Sequence, residues 1–244
     1  MATALFGLIG FPLTHSYSPK YFNEKFYREG INADYRAFEL TDILEFPSLL
    51  KDHPELKGLN VTIPYKQQVI PFLDGLSDAA MQINAVNCID IRDGKLIGYN
   101  TDVVGFEKSL HPLLQPSHKK ALILGTGGAS KAVQYVLSKL NIEFLLVSRS
   151  KRQGTITYHD LDEEMIRENL LIINTTPLGM SPNTDSCPDI PYDAISKDHL
   201  LYDLIYNPEY TEFLNKGKAK GATIKSGEEM WHLQAEASWE IWNK

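Results

Sequence analysis

The segment KKALILGTGGASKAVQYVL sets Gly125, Gly127 and Ser130 between an apolar run and a helical pattern. Glycines at that spacing allow a tight turn and a close approach of a pyrophosphate, and the N–H groups that open the helix meet it with partial positive charge. The chemistry is dinucleotide binding, with a glycine-rich turn that serves packing alone as the competing reading. The next strand-like run, FLLVS, ends at Ser148-Arg149-Ser150 and is followed by Lys151 and Arg152. An NAD-binding unit usually carries Asp or Glu there for the ribose hydroxyls, whereas an arginine holds a 2′-phosphate through a charge-assisted fork. This favours NADP over NAD; the plainer alternative is a solvated arginine at a strand end.

A second set of polar residues lies earlier. GFPLTHSYSP, residues 10–19, places Thr14, His15, Ser16 and Ser18 between two prolines, and one reading is a turn that caps a helix starting near Pro19. NVTIPYK (60–66), AVN (85–87) and GYNTDVVGF (98–106) carry further polar side chains at strand ends, where an open α/β sheet lines its ligand crevice. Lys66 follows Pro64, the expected first residue of a helix, which would set the ammonium near the positive end of a helix dipole. Stability alone does not choose lysine there. Asp102 falls in the first turn of an expected helix, where a carboxylate is favourable without any functional reason. Taken singly, Lys66 reads as a surface lysine and Asp102 as a cap.

These residues need elements to hold them. Residues 3–9, 34–39 and 58–63 read as strands separated by helices beginning near Ser18 and Thr41, a βαβαβ half. AVNCIDIRDGKLIGYN then predicts a hairpin turning at Asp93-Gly94. After a helix from about Thr101, strands and helices alternate again through ALILG, FLLVS, ITY, LLIINT, LLYDLI and ATIK, a second α/β unit. The final helix, about 228–242, puts Met230, Leu233, Ala237 and Ile241 on one face, with the polar Gln234 inside that stripe. Boundaries fall near 101 and 226.

The composition narrows the classes. In 244 residues, 24 Lys and Arg stand against 31 Asp and Glu, net −7, and the basic residues do not cluster, which speaks against nucleic acid as a partner. Cys88 and Cys187 match no metal-ligand spacing and no disulfide framework, so no metal site is expected. No apolar segment has the roughly 20 residues needed to cross a bilayer, and the N-terminus lacks a signal-peptide pattern. The expectation is a cytoplasmic enzyme or binding protein, not associated with membranes.

Read together, GFPLTHSYSP, NVTIPYK, AVN, YNTDVVGF, GTGGAS, SRS, INTTPLGM, DLIYNP and SGEEMWHLQ resemble the shikimate dehydrogenase family, in the family's order and over nearly the whole chain. The resemblance implies a two-domain α/β enzyme. Residues 1–101, with 226–244 returning as a C-terminal helix, would form the substrate-binding catalytic domain, residues 102–225 a Rossmann-like NADP-binding domain, and the active site would lie in the cleft between them. It implies an NADP-dependent oxidoreductase interconverting 3-dehydroshikimate and shikimate, a step of chorismate and aromatic amino acid biosynthesis, with a homodimer as the expected assembly. Ser16 and Ser18 would hold the substrate carboxylate with Tyr206 nearby, and His15 would be structural. Thr62, Asn87 and Gln234 would reach the ring oxygens together with Lys66 and Asp102, the catalytic pair. NADP would be held by Gly125, Gly127, Gly128, Ala129, Ser148, Arg149, Ser150, Thr175, Leu204 and Gly227.

The chain departs from common family forms at Asn84, Cys88 and Ser226. The segment after SRS is short, so Arg149, ahead of Lys151 or Arg152, is assigned to the 2′-phosphate. A quinate or broad quinate/shikimate dehydrogenase would keep the same catalytic pair. A non-enzymic NADP-responsive module that has kept the fold is the reading from another class.

Overall fold

Apolar runs bounded by glycine or a short polar residue become strands in the computed structural model, which describes residues 3–14 and 16–244; His15 lies outside the described residues. The chain divides into two units, Met1–Thr101 with Ala235–Lys244, and Asp102–Gln234.

In the first unit the elements run β1 (Ala4–Gly10), α1 (Ser18–Glu29), β2 (Ala33–Glu39), α2 (Phe46–Asp52), β3 (Leu56–Val61), β4 (Gly75–Leu76), α3 (Asp78–Ile83), β5 (Cys88–Arg92) and β6 (Lys95–Tyr99). They build a sheet of order β2-β1-β3-β5-β6-β4. The β1–β2 and β1–β3 pairs are parallel and the β3–β5 and β5–β6 pairs antiparallel, so the expected βαβαβ start followed by a hairpin is what forms. Asp93 and Gly94 both take positive φ, 52° and 74°, the conformation of a two-residue hairpin turn whose twist suits the strands it joins. One face of the sheet is covered by aromatic side chains. Phe22 stacks on Tyr35 (4.6 Å between ring centres), Phe6 on Trp242 (4.9 Å), and Trp242 Nε1 donates to the Ile89 carbonyl (3.0 Å).

The second unit runs α4 (Asp102–Leu110), β7 (Lys120–Leu124), α5 (Gly128–Lys139), β8 (Glu143–Ser148), β9 (Thr155–Thr157), α6 (Glu163–Glu168), β10 (Leu171–Asn174), β11 (Leu200–Asp203), α7 (Glu212–Ala219), β12 (Thr223–Lys225) and the start of α8 (Glu228–Trp242). All neighbouring strands are parallel, in the order β12-β11-β10-β7-β8-β9. This is the Rossmann order, in which the sheet grows outward in both directions from the point between β7 and β10. Leu122, Leu124, Val147, Ile172, Leu201 and Phe213 are buried in its core. Continuous apolar strands are what a parallel sheet covered on both faces requires.

Two expectations differ from the structure. The returning segment begins at Ala235, not at 226, so α8 belongs to both units. Its first half packs on α4, where a Cβ on Gly105 would lie 2.4 Å from the Met230 carbonyl, and its second half carries Ser238 and Trp242 to the first sheet. Pro64 also starts no helix, and Lys66 stands in a run of turns before a short 3-10 segment at 70–72. The Lys66 carbonyl is taken by the Val86 N–H (2.7 Å), and the Ile70 N–H, which would serve it in an α-helix, goes to Gln67 (3.3 Å). Among the described residues, no helix is long and apolar enough to cross a membrane and no group of three or more His, Cys, Asp or Glu side chains is placed to hold a metal ion.

Candidate active site

Strand direction decides which residues share an end of each sheet. In the first unit β1, β3 and β6 finish at the end where β5 begins, since Cys88 pairs with both Asn60 and Tyr99. Ser16 follows β1, Thr62 and Lys66 follow β3, Asn87 precedes β5 and Thr101 follows β6. The sequence-predicted residues of this unit are therefore brought to one end of one sheet.

That end is built on a buried hydrogen-bonded frame. Asn60 accepts from the Tyr35 hydroxyl (2.8 Å) and donates to the Asn87 carbonyl (3.1 Å) and to Ser238 Oγ (2.9 Å). Asn87 Oδ1 accepts from the Thr101 N–H (2.6 Å), Asn87 Nδ2 donates to Thr101 Oγ1 (2.9 Å), and Thr101 Oγ1 lies 3.2 Å from Ser238 Oγ. All five residues are buried. Buried polar groups are paired as a rule, and a fully satisfied network fixes one geometry. Here it fixes Thr101, and with it the point at which α4 starts with Asp102.

Ser16 and Ser18 are half-buried at the start of α1. Ser18 is the first residue of the helix and Tyr17 the cap residue, without a side-chain cap bond, so Ser18 is not the cap. Ser16 Oγ instead accepts from the Ser18 N–H (3.4 Å), a local turn of the kind short hydroxyls make. Burial holds the Tyr35 hydroxyl, which donates to Asn60, well above the usual phenol range.

In the second unit the carboxyl ends of all six parallel strands point one way, and the residues expected to hold NADP follow them. Gly125, at φ 108°, turns the chain out of β7 in a conformation that L side chains rarely adopt. A Cβ there would also lie 2.7 Å from Thr175 Oγ1, which donates back to the Leu124 carbonyl (2.8 Å). These two residues face each other where the strand order reverses, the ligand crevice of such sheets. Gly127, Gly128 and Ala129 are exposed, and no atom lies within 4 Å of where a Cβ would stand on Gly127 or Gly128. A phosphate group has room against the first N–H groups of α5, which have no acceptor within the helix. Ser130 is buried and donates to the Gly127 carbonyl (2.7 Å), so it closes the turn.

At the end of β8, Ser148 is buried and its hydroxyl donates to the Ser150 carbonyl, which leaves Arg149 and Ser150 exposed. Leu204 follows β11 and Gly227 follows β12; a Cβ on Gly227 would lie 2.1 Å from the Leu204 carbonyl oxygen, so only glycine fits that approach. The Tyr206 ring lies 5.8 Å from that of Trp231. Gln234 is half-buried, donates to the Trp231 carbonyl (2.9 Å), and has its backbone N 3.1 Å from the Cβ position of Gly105. The crossing of α4 and α8 thus sets Gln234 beside the turn of helix that opens with Asp102.

Sequence reasoning missed the supports of these groups. Asp203, fully buried at the end of β11, accepts from Asn174 Nδ2 (3.0 Å), the Ile205 N–H (3.0 Å) and Thr211 Oγ1 (2.6 Å). Burial pushes its carboxyl up to about 6, against the pull of those three donors. Asn174 and Asp203 hold the ends of β10 and β11, and with them Thr175 and Leu204. The available signal was a single polar residue closing each of two apolar runs.

The model of the shikimate dehydrogenase substrate binding domain matches residues 8–89, inside the first unit. Over 256 residues the chain is 40% identical to the shikimate dehydrogenase (NADP(+)) of Aquifex aeolicus, covering 99% of this chain and 91% of the relative. The chain belongs to the shikimate dehydrogenase family. Within the same fold, shikimate 5-dehydrogenase from Thermus thermophilus, solved in complex with NADP(H) and shikimate, matches at TM-score 0.86 and 29% identity over 98% of this chain and 93% of that one. Quinate dehydrogenase from Corynebacterium glutamicum, solved with NAD, matches at TM-score 0.87 and 27% identity over the same shares, 98% and 93%. The family's fold therefore serves more than one acid and more than one nicotinamide cofactor.

Proposed function

We propose that Lys66 and Asp102 act on the reacting oxygen of shikimate, that the polar end of the first sheet with Tyr206 and Gln234 positions the substrate, and that the carboxyl end of the second sheet holds NADP. The reaction is the NADP-linked interconversion of shikimate and 3-dehydroshikimate, a step in aromatic amino acid biosynthesis. NADP, when bound, supplies or takes the hydride.

The chain's own groups handle charge, proton and position. As the ketone is reduced, negative charge develops on its oxygen, and the Lys66 ammonium stabilises it by hydrogen bonding and then donates the proton. In the oxidative direction the neutral amine takes that proton back. Asp102 orients Lys66 and accepts from the neighbouring ring hydroxyl. Ser16 and Ser18 donate to the carboxylate with Tyr206, while Thr62, Asn87 and Gln234 bind the remaining hydroxyls. Gly125, Gly127, Gly128 and Ala129 give backbone room and N–H groups to the pyrophosphate; Arg149 and Ser150 meet the 2′-phosphate, with Ser148 shaping their turn. Thr175, Leu204 and Gly227 border the nicotinamide half.

The observation that carries this reading is that residues 149–154, which leave β8, include no carboxylate and begin with an exposed Arg149, together with an open glycine turn after β7. The test is NADP-linked absorbance with shikimate and with quinate as substrates. Turnover of shikimate with NADP+ is the expected result. Faster turnover of quinate favours the second reading, a quinate dehydrogenase, which the likeness to the Corynebacterium enzyme supports. Binding of NADP without turnover of either acid would overturn both.

A further inference from the structure

Parallel neighbours in a sheet are ordinarily joined by a crossover of roughly a dozen residues or more, usually a helix. β8 and β9 are parallel neighbours, Leu146 opposite Thr155, Val147 opposite Ile156 and Ser148 opposite Thr157, yet only residues 149–154 join them and none is helical. The carboxyl ends of these two strands border a cavity of about 730 Å³ whose lining includes Arg149, Lys151, Tyr158, His159 and Asp189. Arg149 and Tyr158 are the residues that follow the Ser148–Thr157 pair on the two strands, and both line this cavity.

Tyr158 is the unexplained member of that lining. Its ring packs against the core of the second unit, and its hydroxyl is buried with no hydrogen-bond partner among the described residues. Buried hydroxyls without a partner are rare enough that each asks for an absent ligand or water. We infer that Tyr158 is a specificity-determining residue for NADP, its hydroxyl donating to the same 2′-phosphate that Arg149 grips. Burial pushes that hydroxyl up to about 12, with the Arg149 charge acting the other way, so near neutral pH it is a donor. A phosphate offers only acceptors, which suits a phenol and a guanidinium together. Arg149, Lys151 and His159 stand in the lining against the single carboxylate of Asp189.

This inference rests on the NADP assignment made above, and its test separates the two. Calorimetric titration of the wild-type protein and of Tyr158→Phe with NADP+, NAD+, 2′,5′-ADP and AMP isolates the phosphate. The expected result is a Kd about tenfold weaker for NADP+ and 2′,5′-ADP in the variant, about 1.4 kcal/mol, with NAD+ and AMP unchanged within about twofold. In a cycle with Arg149→Ala, the two losses combine less than additively if both groups hold one phosphate. Unchanged NADP+ affinity in a folded variant overturns the inference, as does an equal loss for NADP+ and NAD+. A raised melting temperature with unchanged affinities also overturns it, because the hydroxyl is then only an unpaired buried group. If the tenfold loss appears but the wild-type protein does not oxidise shikimate, the inference stands and the activity falls. If the wild-type protein turns over shikimate with NADP+ and the variant binds every ligand as well as it does, the activity stands and the inference falls.

Discussion

At the polar end of the first sheet, Asn87 is both an expected substrate ligand and a member of the buried frame of Tyr35, Asn60, Thr101 and Ser238. At the carboxyl end of the second sheet the work is divided. Asn174, Asp203 and Thr211 are buried and bonded to one another, while Gly127, Gly128, Ala129 and Arg149 stand exposed. The two arrangements teach where function and stability are separable. On the second sheet the exposed residues expected to meet NADP, Gly127, Gly128, Ala129 and Arg149, can change without touching those supports; on the first sheet, changing Asn87 changes the frame along with an expected substrate contact.

The largest expected effect is at Lys66, which follows β3 at the same end of the first sheet. Lys66→Met keeps most of the stem and removes the charge, and kcat is expected to fall by about 10² to 10⁴, on the order of 3 to 5 kcal/mol, with less change in shikimate affinity. Steady-state kinetics on a folded variant within a few-fold of wild type would remove Lys66 from the catalytic pair. Next is Asn87→Ala, which leaves the Thr101 N–H without its acceptor. Stability should drop by roughly 2 to 4 kcal/mol in urea unfolding, together with shikimate affinity. Loss of affinity at unchanged stability would break the comparison on the first sheet.

The support on the second sheet is tested through pH. Because Asp203 titrates at about 6 in the folded protein against an ordinary 3.8, the folded state holds its proton through a window in which the unfolded chain has released it. Its contribution to stability is therefore full below 3.8 and is lost as pH rises through 6. Relative to Asp203→Asn, the wild-type protein should gain on the order of 2 kcal/mol on going from about pH 7 to about pH 4. Parallel stability curves for the two proteins over that range would refute this. The smallest effect is at Arg149: Arg149→Ala should erase a preference for NADP over NAD of about tenfold in kcat/KM, about 1.4 kcal/mol, at unchanged melting temperature. A cofactor preference that survives the substitution would place 2′-phosphate recognition elsewhere.

What could be read in advance follows from how local its causes are. The turn at Gly125 and the hairpin at Asp93-Gly94 depend on backbone conformations that a few adjacent residues dictate, and both form where expected. The setting of Lys66 depends on the Val86 N–H, a partner far along the chain, and no pattern around Pro64 reveals it. The division of α8 at Ala235 is equally hidden, because one unbroken helical pattern covers both halves. Asn87 and Gly125 stand out by type and position. Asn60, Thr101, Asp203 and Ser238 are ordinary polar letters whose importance comes from being buried together, which only the folded chain brings about.

The sharing of α8 also sets an order in time. The strands of the first unit are complete at Tyr99, but Trp242, which covers Phe6 and bonds to Ile89, is synthesised only after all the strands of the second unit. At synthesis rates of roughly 5 to 20 residues per second, the nascent N-terminal sheet waits about 7 to 30 s for that indole. The second unit is continuous in sequence and has all its strands by Lys225. Until the second unit has been synthesised and Trp242 has followed it, Phe6 lacks the ring that stacks on it.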